Sequence, residues 1–405
     1  MEEQNTYYKG YKFRIYPTED QKDVINKLMN SYRYAYNWAL EKINYRYMEY
    51  LADLSEYKNY TFIDLCHIFT EYKKSSDEQW LKDIPHTTAR YAIKDAITNM
   101  NTYFKSHSGK PKFKSKKGRT KSFGTRNDRF FIEGNGVRFE GIHNKKSRSA
   151  GMIDLGFNCT QFSKNTKYYN PRISIDKNGY YYASFCILET KIPYQTPKTE
   201  PIGIDLGYRQ TMVVSNGDVY NRPNKKIDKI DKQIGQIQHH ISRDIERRIT
   251  EAKRTRTKYE DIPKSNRALK REARYHKLLD RKHNIKINWC YGTVNSILSE
   301  NPEMVVIENI DIKYMMKSQN RFARKYIAKA DLAMMSNIII HKCNQHNIPY
   351  MQASSTYPSS QICSNCGSIK DMSHGKKIYV CPNCGMVMDR DLNAAINLRN
   401  LAFSS

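Results

Sequence analysis

Two closely spaced cysteine pairs near the C-terminus constrain the fold of this chain more than any other feature. Cys363 and Cys366 are separated by two residues, as are Cys381 and Cys384, and 14 residues lie between the pairs. Each pair can present two thiolates to one tetrahedral zinc ion, and the glycine after each pair allows a tight turn. A redox dithiol is the alternative, but two pairs in one small module argue against it, and four cysteines leave no open coordination position. The sequence therefore predicts a structural zinc ribbon.

The charge balance points to a polyanionic partner. The chain carries 68 Lys and Arg against 41 Asp and Glu, a formal net charge of +27, which puts its surface under a positive potential. The 31 tyrosines fit nucleic acid because aromatic rings stack on unpaired bases, although tyrosine-rich cores and a biased genome are the plainer explanations. No apolar run approaches the roughly 18 residues of a spanning helix, and the N-terminus resembles no signal peptide. We expect nucleic acid as the partner, no membrane and a cytoplasmic location.

The N-terminal half reads as a strand, then helices, then strands. Residues 6–16 mix aromatic and basic side chains in partial alternation, which indicates a strand. A capping box at Thr18 opens a helix to about Met48, and a second helix covers about 85–105. Strand-like sequence follows to about residue 190, with a hairpin turn at Asn178-Gly179. The simplest architecture places residues 6–16 in the later sheet and makes the helices an insertion.

In the C-terminal half, strands alternate with helices, as in an α/β fold. A buried strand is expected over 202–214, and the chain later returns through an apolar strand ending near Glu308, a helix around 325–346, a strand at about 349–353 and a last short helix. Between the first two strands lie two charged helices, separated at Pro263, that we expect to form an antiparallel hairpin. The first has an apolar seam at helical spacing, formed by Ile227, Ile230, Ile234, Ile237, Ile241, Ile245 and Ile249.

Three acidic residues stand in surroundings that suit a metal site, although each has a plainer explanation. Asp205 shares one strand face with Gly203 and Gly207, which leaves bare space for a metal ion and a phosphate backbone; a strand-end Asp satisfied by backbone donors is the alternative. Glu308 ends an apolar strand, so its burial requires either a cationic partner or a metal ion. Asp391 begins the last helix, where N-capping, taken alone, is the better explanation.

In their order and surroundings, these motifs resemble the RuvC nuclease domain of TnpB proteins and type V CRISPR effectors. The resemblance rests on GIDLG at 203–207, VIENI at 306–310, the CSNCG and CPNCG pairs, and DRDLNAAINL at 389–398. YKFRIYPTEDQ, YAYNWAL and KPKFKSKK match in the N-terminal half. The likeness covers nearly the whole chain, and its length fits TnpB best.

The resemblance implies a multidomain protein with α+β and α/β parts. A β-barrel-like wedge domain would comprise residues 1–17 and 119–197, with a helical recognition insertion at 18–118. The remainder would be an RNase H-like RuvC domain that contains the helical hairpin and an inserted zinc ribbon that binds target nucleic acid. Its parts would be residues 198–361 and 386–405 for the nuclease, about 222–300 for the hairpin and 362–385 for the ribbon.

The resemblance also implies an activity. In that family, three acidic positions hold two divalent ions, one activating water and one stabilising the leaving oxygen in phosphodiester hydrolysis. Asp205, Glu308 and Asp391 match these positions, whereas Asp389 does not, and magnesium suits such oxygen ligands. A guide RNA would pair with double-stranded target DNA beside a short flanking motif. The chain would act as a monomer with its RNA in a prokaryotic cytoplasm, associated with the nucleoid.

A lysine-rich segment at about residues 105–126 is a further candidate for nucleic-acid contact. Most charge runs are merely solvated, but the family resemblance of KPKFKSKK favours phosphate contact here. The candidate residues are Lys110, Lys112, Lys114, Lys116, Lys117 and Arg119.

Four other functions are weighed against the nuclease. A guided DNA-binding repressor without cleavage would lose the acids, and all three are present. A compact type V CRISPR effector would share every motif above. A transposase with an RNase H fold usually orders its acids Asp, Asp, Glu, whereas here the order is Asp, Glu, Asp. A bare zinc-ribbon DNA-binding protein explains the least of the sequence.

Overall fold

The structure is a computed structural model. It describes residues 6–403 apart from 55, 57–58, 107–108, 117, 119, 143–150, 163–164, 194, 208–211, 310–330, 355 and 372–376. The chain divides into two units, Thr6–Glu189 and Thr190–Ser405. Among the helices in these described ranges, none is long and apolar enough to cross a membrane.

The N-terminal unit begins with strand β1 (Thr6–Ile15) and helix α1 (Glu19–Leu51). The predicted capping box is present: the Thr18 hydroxyl accepts from the Gln21 backbone N–H, and the Gln21 side chain accepts from the Thr18 N–H. Three more helices follow, α2 (Phe62–Ser75), α3 (Gln79–Lys82) and α4 (His86–Ser106). Helix α4 confirms the helix expected at 85–105, whereas α2 was not predicted, although it begins with its own capping box.

The strands of this unit form two sheets. They are β2 (Lys121–Gly124), β3 (Phe131–Glu133), β4 (Gly136–Arg138), β5 (Ile153–Asp154), β6 (Tyr169–Ile175) and β7 (Tyr181–Thr190). One sheet has the order β1-β7-β6-β2 and the other β3-β4-β5. Because β1 lies beside β7, the expectation that the first strand joins the later sheet is confirmed.

The turn between β6 and β7 is where the sequence placed it. Gly179 has φ 80°, which only glycine adopts at little cost. The Asp176 side chain accepts hydrogen bonds from the backbone N–H groups of Asn178 (2.8 Å) and Tyr180 (2.9 Å). The turn is thus held by an aspartate as well as by the predicted Asn-Gly pair.

The C-terminal unit contains a five-stranded sheet. Its strands are β8 (Ile202–Asp205), β9 (Met212–Val214), β10 (Val219–Tyr220), β11 (Val305–Glu308) and β12 (Tyr350–Ala353). The order is β10-β9-β8-β11-β12, with β8, β11 and β12 parallel and β9 antiparallel to both its neighbours. The expectation of a single strand over 202–214 was wrong, because the segment contains two antiparallel strands.

Helices α5 (Asn224–Thr255) and α6 (Asn266–Ser299) form the predicted antiparallel hairpin between β10 and β11. Asp231 pairs with Lys282 (2.5 Å), and further along α5 the Gln238 side chain donates to Tyr275 (3.2 Å), nearer the start of α6. Helix α5 ends at Thr255, before Pro263, and its C-cap residue Arg256 has a φ of 52°. The seam is buried through its first four isoleucines, whereas the last two are exposed.

The last elements are helix α7 (Leu332–His346), the short antiparallel strands β13 (Ile378–Val380) and β14 (Val387–Asp389), and helix α8 (Arg390–Leu401). Helix α7 agrees with the C-terminal part of the helix expected around 325–346; the residues of that expectation before 331 lie outside the described ranges. Strand β14 runs directly into α8, so the cysteine-containing segment and the last helix are continuous.

Candidate metal centres

Strand β8 presents its residues alternately to the two sides of the sheet. Ile204 packs with β11 residues in the large apolar cluster on one side, so Gly203 and Asp205 point to the opposite side. There, Val306 of β11 packs against Leu398 of α8. Helix α8 therefore covers the face of the sheet that carries Asp205.

Glycine is required at position 203 for a different structural reason from the one expected. A Cβ at this position would stand 2.0 Å from the carbonyl oxygen of Ala395 and 2.4 Å from the amide nitrogen of Arg399. The space beside Gly203 is therefore filled by the backbone of α8, and the expectation of open space for a phosphate backbone was wrong at this residue. The glycine is needed because helix and strand approach too closely for any side chain.

Because Gly203 lies against Ala395, the carboxylates of Asp205 and Asp391 stand at about the same position along the strand. Asp205 lies two residues beyond Gly203, about 6.6 Å along the strand, and Asp391 lies four residues before Ala395, about 6 Å along the helix. Strand β11 is parallel to β8 and in register with it, which places Glu308 next to Asp205. The three predicted acids therefore meet on one side of the sheet.

The electrostatics of Asp205 reflect this meeting. Burial raises its pKa well above the usual aspartate range, and the negative charges of Asp391 and Glu308 raise it further, while Arg390 opposes them. Burial also raises the pKa of Glu308. Desolvation and like charges both disfavour the ionised carboxylates, and a cation bound among them would favour the ionised forms.

Asp389 and Asp391 have distinct roles at the start of α8. The Asp389 Oδ1 accepts hydrogen bonds from the backbone N–H groups of Asp391 (2.9 Å) and Leu392 (3.1 Å). The N-cap is therefore Asp389, and the capping explanation for Asp391 falls. The Asp391 Oδ1 instead accepts from Nε (3.1 Å) and Nη2 (2.8 Å) of Arg390.

The acidic cluster offers oxygen donors only, which suits magnesium better than softer metals. It is not a closed cage: among the described residues, the four cysteines are the only group in which three or more His, Cys, Asp or Glu ligand atoms all lie within 4.8 Å of one another. Two ions about 3.5–4 Å apart would spread their ligands over a wider span than a single ion does. The donor set and the clustering of the acids therefore fit a two-ion site.

The four predicted zinc ligands come together. The Sγ atoms of Cys363 and Cys384 lie 3.6 Å apart, as do those of Cys366 and Cys381. A tetrahedron with Zn–S bonds of about 2.3 Å has sulfur atoms about 3.8 Å apart, so these separations fit one zinc ion. All four cysteines are free thiols in the structure, which argues against a disulfide at this site.

Hydrogen bonds favour the thiolate form at two of the four cysteines, whereas burial raises the pKa of the Cys363 thiol to about 11. The Ser368 hydroxyl lies 3.2 Å from Cys366 Sγ and 3.1 Å from Cys381 Sγ. These contacts lower the pKa of Cys366 and of Cys381, which favours the thiolate that zinc requires. Gly367 and Gly385 both have positive φ, 72° and 71°, as expected for tight turns after each pair.

Two asparagines of α8 were missed by the sequence reasoning. Asn393 and Asn397 are buried, and their side chains bond to the backbone around Cys363. The available signal was their four-residue spacing, which puts two amides on one face of the helix, beside apolar residues such as Ala394 and Leu398.

The lysine-rich segment divides into exposed and packed residues. Lys110, Lys112 and Lys116 are exposed, whereas Lys114 is half-buried with its ammonium 4.3 Å from the centre of the Tyr36 ring. Burial lowers the pKa of Lys114, and the nearby charge of Arg172 adds to this. The other two candidates, at positions 117 and 119, lie outside the described residues.

Family comparisons match two parts of the chain. The family described as Cas12f1-like, TNB domain, matches residues 333–398, which run from α7 through the cysteine pairs into α8. A helix-turn-helix domain of the OrfB IS605 group matches residues 7–51. In the structure the latter residues form β1 and the single long helix α1.

Full-length comparisons extend the likeness. A Streptomyces pristinaespiralis protein with the provisional name RNA-guided DNA endonuclease is 23% identical over 393 residues, covering 96% of this chain and 88% of the relative. The Escherichia coli K12 protein InsQ, with the same provisional name, is 22% identical over 313 residues, covering 76% and 68%. A chain from a cryo-EM structure of a Cas12f1–sgRNA–target DNA complex shares the fold, with a TM-score of 0.54 at 14% identity and coverage of 98% and 99%. The two domain matches and the full-length relatives support the resemblance of this chain to TnpB proteins.

Proposed function

We propose that this protein is an RNA-guided DNA endonuclease that hydrolyses phosphodiester bonds by a two-metal mechanism. The observation that carries the proposal is the meeting of Asp205, Glu308 and Asp391 on one face of the sheet, where burial and mutual repulsion raise the pKa of Asp205. Acids placed on two strands and a helix, far apart in sequence, form a site for cations rather than a surface feature.

Each residue of the site has its own proposed role. Asp205, Glu308 and Asp391 would hold two magnesium ions, which would supply an activated water and stabilise the leaving oxygen. Asp389 fixes the first turn of α8 and so aims the Asp391 carboxylate. Arg390 holds that carboxylate through its guanidinium and supplies positive charge beside the cluster. The three acids are half-buried, so they contact less water than surface carboxylates do, which strengthens the charge interactions among them.

A guide RNA and double-stranded DNA are the proposed partners. The relatives are named RNA-guided DNA endonucleases, the Cas12f1 structure is a complex with sgRNA and target DNA, and the charge of +27 suits long polyanions. The protein would read a short flanking motif and leave sequence choice to base pairing. We assign the wedge, recognition, RuvC and ribbon domains to the ranges predicted above, and place a monomer with its RNA in the cytoplasm near the nucleoid.

A guided repressor without cleavage is the less favoured alternative, because a repressor needs no cluster of half-buried acids on one face of the sheet. A compact type V CRISPR effector differs in the source of its guide and would use the same site. Sequencing the RNA that copurifies with the protein would show whether the guide comes from a transposon or from a CRISPR locus.

The test combines RNA-free protein, a guide matched to a plasmid and magnesium. We expect cleavage with the matched guide, none without a guide, and none with mismatches next to the flanking motif, where pairing nucleates. Asp205→Asn and Glu308→Gln should bind the target normally and fail to cut. Equal cutting with every guide would reveal a nonspecific nuclease, and normal cutting by both variants would refute the site.

A further inference from the structure

The side chain of Asn393 holds the peptide groups on both sides of a zinc cysteine. Its Nδ2 donates to the carbonyl oxygen of Ile362 at 2.7 Å, and its Oδ1 accepts from the backbone N–H of Ser364 at 3.0 Å. Cys363 lies between these two residues. Asn393 is fully buried, so both bonds are shielded from water and fix the amide in one orientation.

Asn397, one helical turn later, makes further hydrogen bonds to the same loop. Its Nδ2 donates to the carbonyl oxygens of Ser359 (2.8 Å) and Ile362 (2.7 Å), and its side chain is also buried. The loop that carries the first cysteine pair is therefore bonded to α8 by two asparagines. Loss of either would leave buried polar groups without partners.

The second cysteine pair reaches the same helix through the chain itself. Strand β14 follows Cys384 and ends at Asp389, the N-cap of α8. One zinc ion held by both pairs would thus close a ring that runs from Asn393 through Cys363 and Cys384 to Asp389. Asp391 lies inside this ring, two residues from each end of it.

We propose that the zinc ribbon positions the nuclease carboxylate Asp391, with Asn393 as the positioning residue that couples the two metal centres. The idea rests on the proposed function for the divalent site, but its first consequence does not. With zinc bound, the ring is closed and fixes the first turn of α8; without zinc, Asp389 and Asn393 still contact that turn, but the loop around Cys363 and strand β14 are no longer tied to each other. Coupling between two binding sites is reciprocal, so divalent ions at the acids and zinc at the cysteines should strengthen each other.

The first experiment measures amide hydrogen exchange in the full-length protein without divalent ions. Removing zinc should speed exchange of the Asp391 and Leu392 amides, which bond to Asp389, and leave the second half of α8 slow. Asn393→Ala loaded with zinc should show the same faster exchange, whereas Asn400→Ala, in the last turn of the same helix, should not. Unchanged exchange after zinc removal would overturn the coupling, whatever the protein catalyses.

The second experiment measures Mn²⁺ affinity by electron paramagnetic resonance. We expect Asn393→Ala to weaken Mn²⁺ binding about tenfold, as loss of a supporting residue does at other metal sites. Zinc content and melting temperature show whether each variant is folded. A folded, zinc-loaded Asn393 variant with wild-type Mn²⁺ affinity would overturn the inference. If the wild type lacks a Mn²⁺ site that Asp391→Ala abolishes, the proposed function fails instead.

Discussion

Gly203 of β8 lies against the backbone of Ala395 in α8, so closely that a Cβ on the glycine would stand 2.0 Å from the alanine carbonyl oxygen. This contact sets how deeply the last helix sits on the sheet. Asp205 on β8 and Asp391 on α8 each lie about one helical turn from the contact between Gly203 and Ala395. The strand and the helix thus each contribute one carboxylate to the same interface. The position of a proposed nuclease carboxylate therefore depends on a residue that has no side chain.

Gly203→Ala should destabilise the protein and abolish cleavage. The added methyl would meet backbone atoms, which cannot rotate away, so we expect a loss of about 3 kcal/mol or more in unfolding free energy. Denaturant unfolding and a plasmid cleavage assay measure the two effects. Gly235→Ala in α5 is the matched control, since a Cβ there has nothing within 4 Å; helix propensity predicts a gain of up to about 1 kcal/mol. Equal stability of the two variants would contradict the close contact.

Neighbouring aspartates at the start of α8 should respond differently to substitution. Asp389→Ala removes the helix cap and should cost about 0.5–2 kcal/mol. Asp391→Asn keeps the helix start and should change stability by less than that, while cleavage is lost because the carboxylate no longer binds a divalent ion. Calorimetry and cleavage rates provide the comparison. A stable Asp389→Ala together with an active Asp391→Asn would reverse the roles assigned here.

Two lysines of the basic segment should also respond differently to substitution. Lys112 is exposed and should contact phosphate, so Lys112→Gln should weaken RNA binding and reduce the slope of log affinity against log salt by about 1. Lys114 packs over Tyr36, and its backbone amide donates to the Asn37 side chain at 2.7 Å. Lys114→Gln should therefore lower stability by about 0.5–1 kcal/mol and leave the salt slope unchanged. Filter binding over a salt series checks both, and a changed slope for Lys114→Gln would place its ammonium on the nucleic acid.

Glu189 should make the stability of the N-terminal unit pH-dependent. Its carboxylate accepts from Tyr7 (2.9 Å), Lys9 (3.0 Å) and Tyr11 (2.5 Å). Burial alone would raise its pKa, but the hydrogen bonds, led by that of Tyr11, lower it overall. A lowered folded-state pKa stabilises the fold above the ordinary glutamate pKa of about 4.3, and this contribution is lost as the pH falls through the folded-state value.

Glu189→Gln should accordingly cost about 1–3 kcal/mol at neutral pH and progressively less below about pH 4. Urea unfolding at a series of pH values measures the difference from wild type. Glu71→Gln, at an exposed ion pair with Lys74, is the control and should change little at any pH. A constant difference for Glu189→Gln down to pH 3 would show that charge on Glu189 does not stabilise the fold.

Local sequence patterns were sufficient to predict several structural features of this protein. The spacing of Cys363, Cys366, Cys381 and Cys384 predicts a metal ribbon because ligands two residues apart can bind one ion within a single turn. Capping residues located the start of α1, and Asn178-Gly179 located the turn between β6 and β7. Each of these signals lies within a few residues of chain, where the backbone geometry is decided locally.

The tertiary structure decided what depends on residues far apart in sequence. It assigned the helix cap to Asp389 and thereby released Asp391 for the acidic cluster, and it showed that Gly203 accommodates a helix rather than a phosphate. It also revealed Asn393, whose buried amide has its partners in a loop about 30 residues earlier that folds against the helix. Such contacts arise when a strand, a helix and a loop pack together, and no local pattern specifies that packing.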